Sequence, residues 1–349
     1  MLTGHNDVVN NQSRPVARRH HTVPRFYLQG FSEAGKIATV RLPGDQRFPQ
    51  SVGDAAVAKD FYAVDGHPDG PDVIEKALSE IEGLAAAVFK KIAGGSWPLG
   101  HEDRMTLGYF VALQATRVPV QRNTMDYLAA QMLRLQIGAS GKTGLRKQLE
   151  EHGLEVSDDI VEEVWEQMTR PQGPPVKRPK TVHIEQMLDL SGKLIPYLVG
   201  RPWSLVRFER RSLILSDAPV GLVAHTNDKW GMGVGFMTAW GITFPLSRKA
   251  GLLMNSVEPQ IELGVPVEKV HQGRADWVQD GTAKMEKFFN FHTVQGASEW
   301  LFHHPDDEKY VPTDLPNPRP VTLQMSGGPP EFDGEQWFTG GDTKDASTG

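Results

Sequence analysis

Apolar residues in the first half of the chain recur at the spacing of helices. From residue 73 to 92 they follow a period of about 3.6, after Pro71 and Asp72, two residue types that favour a helix start. The segment HEDRMTLGYFVALQATRVPVQRNTMDYLAAQMLRLQIG predicts a second helical stretch, interrupted at Pro119 because proline has no amide hydrogen to donate inside a helix. The segment SDDIVEEVWEQMTR predicts a third, capped by Ser157. Only the short run KIATVRL in this half has the pattern of a strand.

Beyond residue 181 the pattern changes to short apolar runs of strand length. A helical segment, HIEQMLDLSGKLIPYLVG, is followed by four runs that turn residues mostly bound, WSLVRFE, SLILSD, GITFPLS and GLLMN. A last helix is predicted over residues 266–289. Helices first and strands later favour an α+β fold, with a helical N-terminal block packed on a smaller, mainly antiparallel β block.

Proline-rich and polar stretches mark the boundaries of this fold. Residues 1–17 are polar and predict a flexible N-terminus, while residues 311–349 are dense in proline and glycine and predict a disordered, acidic tail. The segment RPQGPPVKRPK cannot continue a helix and predicts an exposed loop. One α+β domain is therefore predicted over 18–310, with a helical part at 18–169, the exposed loop at 170–180 and a mixed part at 181–310.

Composition narrows the class of protein. The 349 residues include no cysteine, which excludes disulfides, thiolate metal sites and cysteine nucleophiles. The formal net charge of −6 argues against general nucleic-acid binding and leaves room only for a local basic groove. No apolar run has the length of a signal peptide or a membrane span, so a cytoplasmic protein without a membrane partner is expected.

Standard catalytic signatures are absent from the sequence, including phosphate-binding loops, zinc-protease motifs and the nucleophile elbow. The glycine-rich GMGVG is interpreted as a flexible connection because it lacks the lysine of a phosphate loop. The adjacent pairs His20–His21 and His303–His304 are poor chelates, since neighbouring side chains diverge on regular structure. A divalent metal would suit a hydrolase, but no ligand motif supports one and no metal site is assigned.

The segment RRHHTVPRFYLQGF holds the first candidate site residues. Pro24 suits the first position of a short helix whose aromatic residues are buried. His21 would then lie just before the helix start, with Arg25 beside it. Two interpretations stay open for His21: a hydrogen-bonded structural histidine, or a general acid–base, metal-binding or anion-binding group.

A second group of polar residues falls in strongly apolar helices. Glu75 and Glu82 are seven residues apart and project from the same side of their helix. Gln114 and Arg117 are neighbours three residues apart in YFVALQATRVP, and a buried guanidinium there needs a partner, such as one of the two glutamates. Arg117 and a glutamate form either an inter-helix salt bridge or part of a polar cluster that binds a ligand in a helical cleft.

A third candidate lies where the strand LILSDAPV ends. Ser216 and Asp217 are well placed to face a cleft at a strand end, and Asp217 is the preferred carboxylate of this half. The alternative is a tight local turn without chemistry, because serine and aspartate before proline form such turns readily.

Taken in order along the chain, several segments together resemble a bacterial family known as domain of unknown function 4238. The resemblance covers about residues 20–307 and rests on HHTVPRFYLQGF, DFYAVDG with VIEKALSEIEG, FVALQATRVP, WSLVRF with LILSDAPV, ITFPLSRKAGLLM and FNFHTVQGASEWLFHHPDD. Ala218 departs from the family pattern, which often has asparagine there. The resemblance implies positions worth testing but no reaction, because the family has no assigned activity.

Two functions are compatible with these residues. The first is a nuclease-like hydrolase that acts on a negatively charged substrate, such as a small anion or a nucleic acid. The second is a non-catalytic ligand-binding or regulatory protein that uses the same residues for a small anion or a protein partner. The candidate catalytic residues are His21, Glu82 and Asp217, and the candidate substrate-binding residues are Arg117, Gln114, Arg25 and Ser216.

Overall fold

The computed structural model describes residues 18–225, 234–318 and 331–337. Its helices are α1 Arg25–Gln29, α2 Val73–Ala93, α3 His101–Thr116, α4 Pro119–Glu151, α5 Asp158–Thr169, α6 Lys180–Val199, α7 Glu258–Glu262, α8 Val267–His271 and α9 Ala283–Gly296, and a 3-10 helix spans Pro305–Tyr310. The interruption expected at Pro119 is confirmed, because α3 ends at Thr116 and α4 begins at the proline. No helix in the described ranges has both the length and the apolar character that a membrane span requires.

The strands form three sheets that are antiparallel apart from one pair. The strands are β1 Arg19–His21, β2 Lys36–Arg41, β3 Gln46–Ser51, β4 Val57–Lys59, β5 Trp203–Arg207, β6 Leu215–Ser216, β7 Gly221–Val223, β8 Gly241–Ser247, β9 Ala250–Met254, β10 Trp277–Asp280 and β11 Trp300–His303. They pair in the orders β1-β4, β10-β5-β9-β8-β7 and β3-β2-β11-β6, and only β10 and β5 run parallel. The α+β class is confirmed.

The strands come from both halves of the chain, although the sequence pattern predicted a helical first half and a strand-containing second half. β2 and β3 come from the helical half, yet β2 pairs with β11, with Val40 opposite Leu301. The four-stranded sheet therefore joins the two ends of the domain. The division into domains predicted from the sequence stays a prediction. Of the tail predicted over 311–349, residues 311–318 and 331–337 are described and the rest lies outside the described residues.

The last helix predicted over residues 266–289 is wrong as a single element. α8 ends before Gly273, whose φ of +71° is unfavourable for residues other than glycine. Trp277–Asp280 then forms β10, which pairs with β5. Thr282 starts α9 by accepting a hydrogen bond from the Met285 amide. Sheet pairing therefore overrides helical spacing in the middle of this segment.

Aromatic side chains of α1 join the helices to the five-stranded sheet. Tyr27 stacks on Phe244 of β8 with ring centroids 5.1 Å apart, and it meets Phe110 of α3 edge to face at 5.9 Å. Its hydroxyl donates to the Pro245 carbonyl. The short helix predicted after Pro24 and the burial of Tyr27 are confirmed, whereas Phe26 is only partly buried. This packing places β1, and with it His20 and His21, against α2 and α3.

Candidate functional site

Arg117 follows the last residue of α3 and is only 2% exposed. Its Nη1 donates to Glu82 Oε1 on α2 at 2.8 Å, its Nε to the Tyr62 hydroxyl at 3.1 Å, and its Nη2 to the His21 carbonyl at 2.6 Å. Burial by itself lowers the pKa of Arg117, but Tyr62 and Glu82 together raise it above the ordinary value. The expected inter-helix ion pair is confirmed, and its geometry makes Arg117 a positioning residue that holds β1, α2 and α3 together.

Glu75 lies two turns before Glu82 on α2 and is not satisfied in the same way. Its Oε2 is buried without a hydrogen-bond partner among the described residues. Burial raises the pKa of Glu75, and the charge of Glu82 adds to the increase, while His20 and Arg117 act against it. The seven-residue spacing indicated that both glutamates lie on one side of the helix. It did not indicate that Glu82 would be the one to pair with Arg117.

The two adjacent histidines of β1 have different roles. His20 is fully buried, stacks on Tyr62 at 5.6 Å and accepts a 2.7 Å hydrogen bond from the Tyr62 amide through Nδ1. His21 is half-buried, and its Nε2 has no partner within the described ranges. Burial lowers the pKa of His21 and the charges of Arg25, Arg117 and Arg19 lower it further, although a hydrogen bond to the Val52 backbone opposes them. His21 is therefore neutral at pH 7.

Arg122, one turn into α4, was not a predicted site residue. Its guanidinium lies 3.4 Å from the centre of the Phe61 ring and 5.8 Å from that of Tyr62. Burial lowers the pKa of Arg122, and Tyr62 and Asp126 counteract that shift. Arg117 and Arg122 thus approach Tyr62 together, which no pattern in the sequence indicated.

Gln114 lines a cavity of about 360 Å³ between α3, the start of α4, α9 and residues 218–222. The side chain is 1% exposed, yet neither its Oε1 nor its Nε2 has a hydrogen-bond partner in the described part of the chain. The described lining is Gln114, Ala115, Val118, Val120, Gln121, Ala218, Val220, Leu222, Val234, Phe236, His292, Gln295 and Gly296. We call this cavity the Gln114 pocket.

The described lining of the Gln114 pocket contains no acidic side chain, lysine or arginine. His292, on α9, is its one titratable side chain within those residues. Burial lowers the pKa of His292, and a hydrogen bond to the Leu222 backbone only partly offsets that effect. The described part of the lining is therefore made of apolar groups, amides and a histidine whose pKa is lowered.

Ser216 makes the local turn that the sequence left as an alternative, whereas the Asp217 carboxylate binds a segment distant in sequence. Asp217 Oδ1 accepts from the Ser298 amide at 2.8 Å, and Oδ2 accepts from the amides of Glu299 at 2.9 Å and Trp300 at 3.2 Å. Ser216 Oγ accepts from the Ala218 amide at 3.3 Å. Burial raises the pKa of Asp217 to about 6, against the lowering effect of the three amides. The carboxylate fixes the connection between α9 and β11.

The structure thus brings only part of the predicted site together. Glu82, Arg117 and the backbone of His21 are in direct contact, and the charge of Arg25, exposed on α1, reaches His21. Gln114 belongs to the adjoining pocket. The hydrogen bonds of Asp217 within the described residues all go to residues 298–300, so its contacts do not include Glu82 or Arg117. The following residue, Ala218, nevertheless lines the Gln114 pocket.

A possible set of metal ligands lies elsewhere in the molecule. Glu33, His304 and Asp306 place one ligand atom each within 4.8 Å of one another in the described residues. His304 Nδ1 already accepts a hydrogen bond from the Asp306 amide at 3.2 Å, and both carboxylates are exposed. None of the three residues was a candidate site residue in the sequence, which assigned no metal site.

A family model described as "Protein of unknown function (DUF4238)" matches residues 19–307. The match includes α1, the Arg117 contacts, the Gln114 pocket and the Asp217 turn. Neither the curated proteins nor the solved structures contained a match to the chain.

Proposed function

We propose that this chain, which belongs to the family described as protein of unknown function (DUF4238), is a cytoplasmic ligand-binding protein whose binding site is the Gln114 pocket. The proposal rests on Gln114 itself, because a buried primary amide with both of its polar atoms unpaired within the described residues is rare. Each such group left without a partner costs about 1–3 kcal/mol. A ligand that pairs with both atoms would recover that cost on binding.

The chemistry of the pocket limits the ligand class. A glutamine amide presents a donor and an acceptor side by side, so its best complement is another amide edge, as in a carboxamide or a lactam. The described lining offers no cation for an anionic group. An uncharged molecule therefore fits better than the small anion expected from the sequence. The cavity volume of about 360 Å³ suits a compound with one or two rings.

Thermal unfolding with defined probes tests this proposal. Nicotinamide and uracil, which carry the required amide edge, should raise the melting temperature, whereas the charged analogue nicotinate should not. The absence of a shift with every amide probe would count against the pocket as a binding site.

Replacing Gln114 separates binding from structure. We predict that Gln114→Met loses the ligand-induced shift but leaves the ligand-free protein equally stable or more stable, because an apolar side chain of similar length removes an unpaired polar group. Gln121→Met is the control, because Gln121 lines the same pocket but its side chain is only half-buried. A loss of about 2 kcal/mol or more in Gln114→Met would identify the amide as a structural residue instead.

A hydrolase is the second proposed function. It is favoured by two buried side-chain atoms near Arg117 that could accept or donate a proton. His21 Nε2 and Glu75 Oε2 have no partner within the described ranges. Their pKa shifts suit a neutral histidine as general base and a protonated glutamate as general acid. Arg122 would contact the anionic group, because the three nitrogens of Arg117 already donate to protein acceptors. In this scheme Glu82 positions Arg117, and Asp217, which binds the amides of residues 298–300, takes no part in the reaction.

Hydrolysis of bis(p-nitrophenyl) phosphate, measured with Mg²⁺, with Mn²⁺ and with a chelator, tests the second proposal. We predict that His21→Gln and Glu75→Gln each lower kcat by about 100-fold or more, as expected for the loss of a general acid or base. Arg47→Gln, at an exposed residue of β3 that pairs with Glu308, is the control and should retain most of the activity. Full activity in both cluster variants would eliminate the acid–base assignment.

A further inference from the structure

Helix α4 is broken at Gly141, which has φ of 68° and ψ of 175°. A break of this kind leaves backbone groups without their intrahelical partners. The segment 331–337 supplies them: the Lys142 amide donates to the Gly334 carbonyl at 2.8 Å, and the Trp337 amide donates to the Ala139 carbonyl at 2.9 Å. The backbone of this segment therefore pairs with the helix at its break.

Side chains of the segment complete the contact. Phe332 packs against a buried apolar cluster formed by Ile137 and Leu145 of α4 and by Val161 and Trp165 of α5. The centres of the Trp337 and Phe332 rings are 4.8 Å apart, and the Arg134 guanidinium lies 5.1 Å from the centre of the Phe332 ring. The segment therefore bends at Gly334 and brings its two aromatic rings together at the break in the helix.

Glycines are placed where side chains would block this peptide. A Cβ at Gly138 would lie 2.4 Å from the Phe332 ring, and one at Gly141 would lie 2.7 Å from the Gln336 amide nitrogen. Within the peptide, Gly334 has φ of +93°, and a Cβ there would come within 3.0 Å of the Lys142 side chain. The helix and the peptide therefore fit each other through backbone hydrogen bonds, through packed side chains and through glycines where a side chain would clash.

We propose that this surface, made by residues 134–145 of α4 and the facing side of α5, is a docking groove for peptides of the pattern Phe-x-Gly-x-x-Trp. The chain fills the groove with its own segment, and a partner peptide of the same pattern competes for it. The pattern follows from the residues that make the contacts: Phe332 inserts at the apolar cluster beneath the Arg134 guanidinium, Gly334 lies against the Lys142 side chain, and the Trp337 amide reaches the Ala139 carbonyl.

Binding of a labelled peptide to the full chain tests the groove. The probe is a fluorescein-labelled peptide with the sequence of residues 329–339, PPEFDGEQWFT. It should bind saturably to the Phe332→Ala/Trp337→Ala variant and at least about tenfold more weakly to the wild type, whose own segment competes at high effective concentration. A peptide with alanine at the phenylalanine position should not bind.

Gly138→Ala, added to the Phe332→Ala/Trp337→Ala variant, is the decisive control. Alanine favours the helix over glycine, so the triple variant should be at least as stable as the double variant, yet it should lose the peptide. If the double variant keeps the wild-type melting temperature and circular dichroism and still fails to bind the peptide, the groove is not a docking site.

A measurement on Gly138→Ala alone keeps the proposal testable even when the double variant does not fold. Its methyl group should displace Phe332, so hydrogen exchange at the Lys142 and Trp337 amides should accelerate by at least about tenfold without a loss of thermal stability. Unchanged exchange at both amides would overturn the proposal.

Discussion

Buried polar side chains in this protein differ in how far the fold satisfies them. Arg117 donates to three protein acceptors, and Asp217 accepts from three backbone amides. Gln114 has no such partner within the described residues. A buried polar group whose hydrogen bonds are all made within the protein stabilises the fold. A buried polar group without such a partner is a candidate for contact with a ligand. Gln114 therefore differs from Arg117 and Asp217 in hydrogen bonding, although all three side chains are buried.

The pKa of Asp217 makes a prediction about pH at the residue scale. Burial raises this pKa from 3.8 to about 6, so the folded state holds the proton over a range in which the unfolded state has released it. Between about pH 4 and pH 6 the unfolded state binds fewer protons, and the Asp217 contribution to stability therefore falls as pH rises, by up to about 3 kcal/mol.

Asp217→Asn isolates this contribution because asparagine does not titrate. The difference in unfolding free energy, wild type minus variant, should decrease from pH 4 to pH 6 and then stay level. Chemical denaturation at several pH values measures it. A difference that increases over the same range would mean that the three amides outweigh burial and that the pKa is lowered.

At the scale of elements, helix starts were predictable where a capping residue precedes a regular apolar pattern. Ser157 caps α5 by accepting from the Ile160 amide, as its sequence indicates. Thr282 caps α9 in the same way but was missed. It lies inside a run whose helical spacing continues on both sides, and only the pairing of β10 with β5 separates α8 from α9.

Removal of these caps has a predictable cost. Ser157→Ala and Thr282→Ala should each lower the free energy of unfolding by about 1 kcal/mol, since each leaves one amide of the first turn without its side-chain acceptor. Asp72→Ala is the comparison variant, because Asp72 precedes α2 without a side-chain cap hydrogen bond and its carboxylate forms an ion pair with the exposed Lys76, which contributes little to stability. Its effect, measured by urea denaturation, should be less than half as large. Equal losses at all three positions would argue against the caps.

At the scale of the whole molecule, a buried ion pair joins distant parts of the chain. Arg104 of α3 pairs with Asp276, which precedes β10, and both side chains are fully buried. The guanidinium also donates to the Val199 carbonyl at 3.0 Å and stacks over Trp203 at 4.0 Å. Asp276 accepts in turn from the Trp203 amide at 2.8 Å. The pair therefore fixes α3, the end of α6 and β5 relative to one another.

Breaking this pair should be costly. Arg104→Met leaves a buried carboxylate without its cation, and we predict a loss of about 3–5 kcal/mol in the free energy of unfolding. Arg18→Met is the matched control: Arg18 pairs with Asp60 at 2.8 Å, but the two side chains are 64% and 25% exposed, so its loss should be about 0–1 kcal/mol. Similar melting temperatures for the two variants would show that the Arg104 pair does not hold the molecule together.

The sequence by itself determined the local structure and the residue types of the candidate site. The α+β class, the interruption at Pro119, the Ser157 cap and the helix after Pro24 depend on residues within a few positions of one another, which a linear pattern contains. The partner of Arg117 could be anticipated because burial of a guanidinium requires one.

Only the tertiary structure decided which of these residues meet. Pairing of β2 with β11, the break between α8 and α9, and the separation of Asp217 from Arg117 depend on contacts between residues up to hundreds of positions apart. The same contacts decide which polar atoms find partners: Glu82 does, whereas Gln114 and one oxygen of Glu75 have none among the described residues. Hydrogen bonding and burial are properties of neighbours in space, and a pattern along the chain does not contain them.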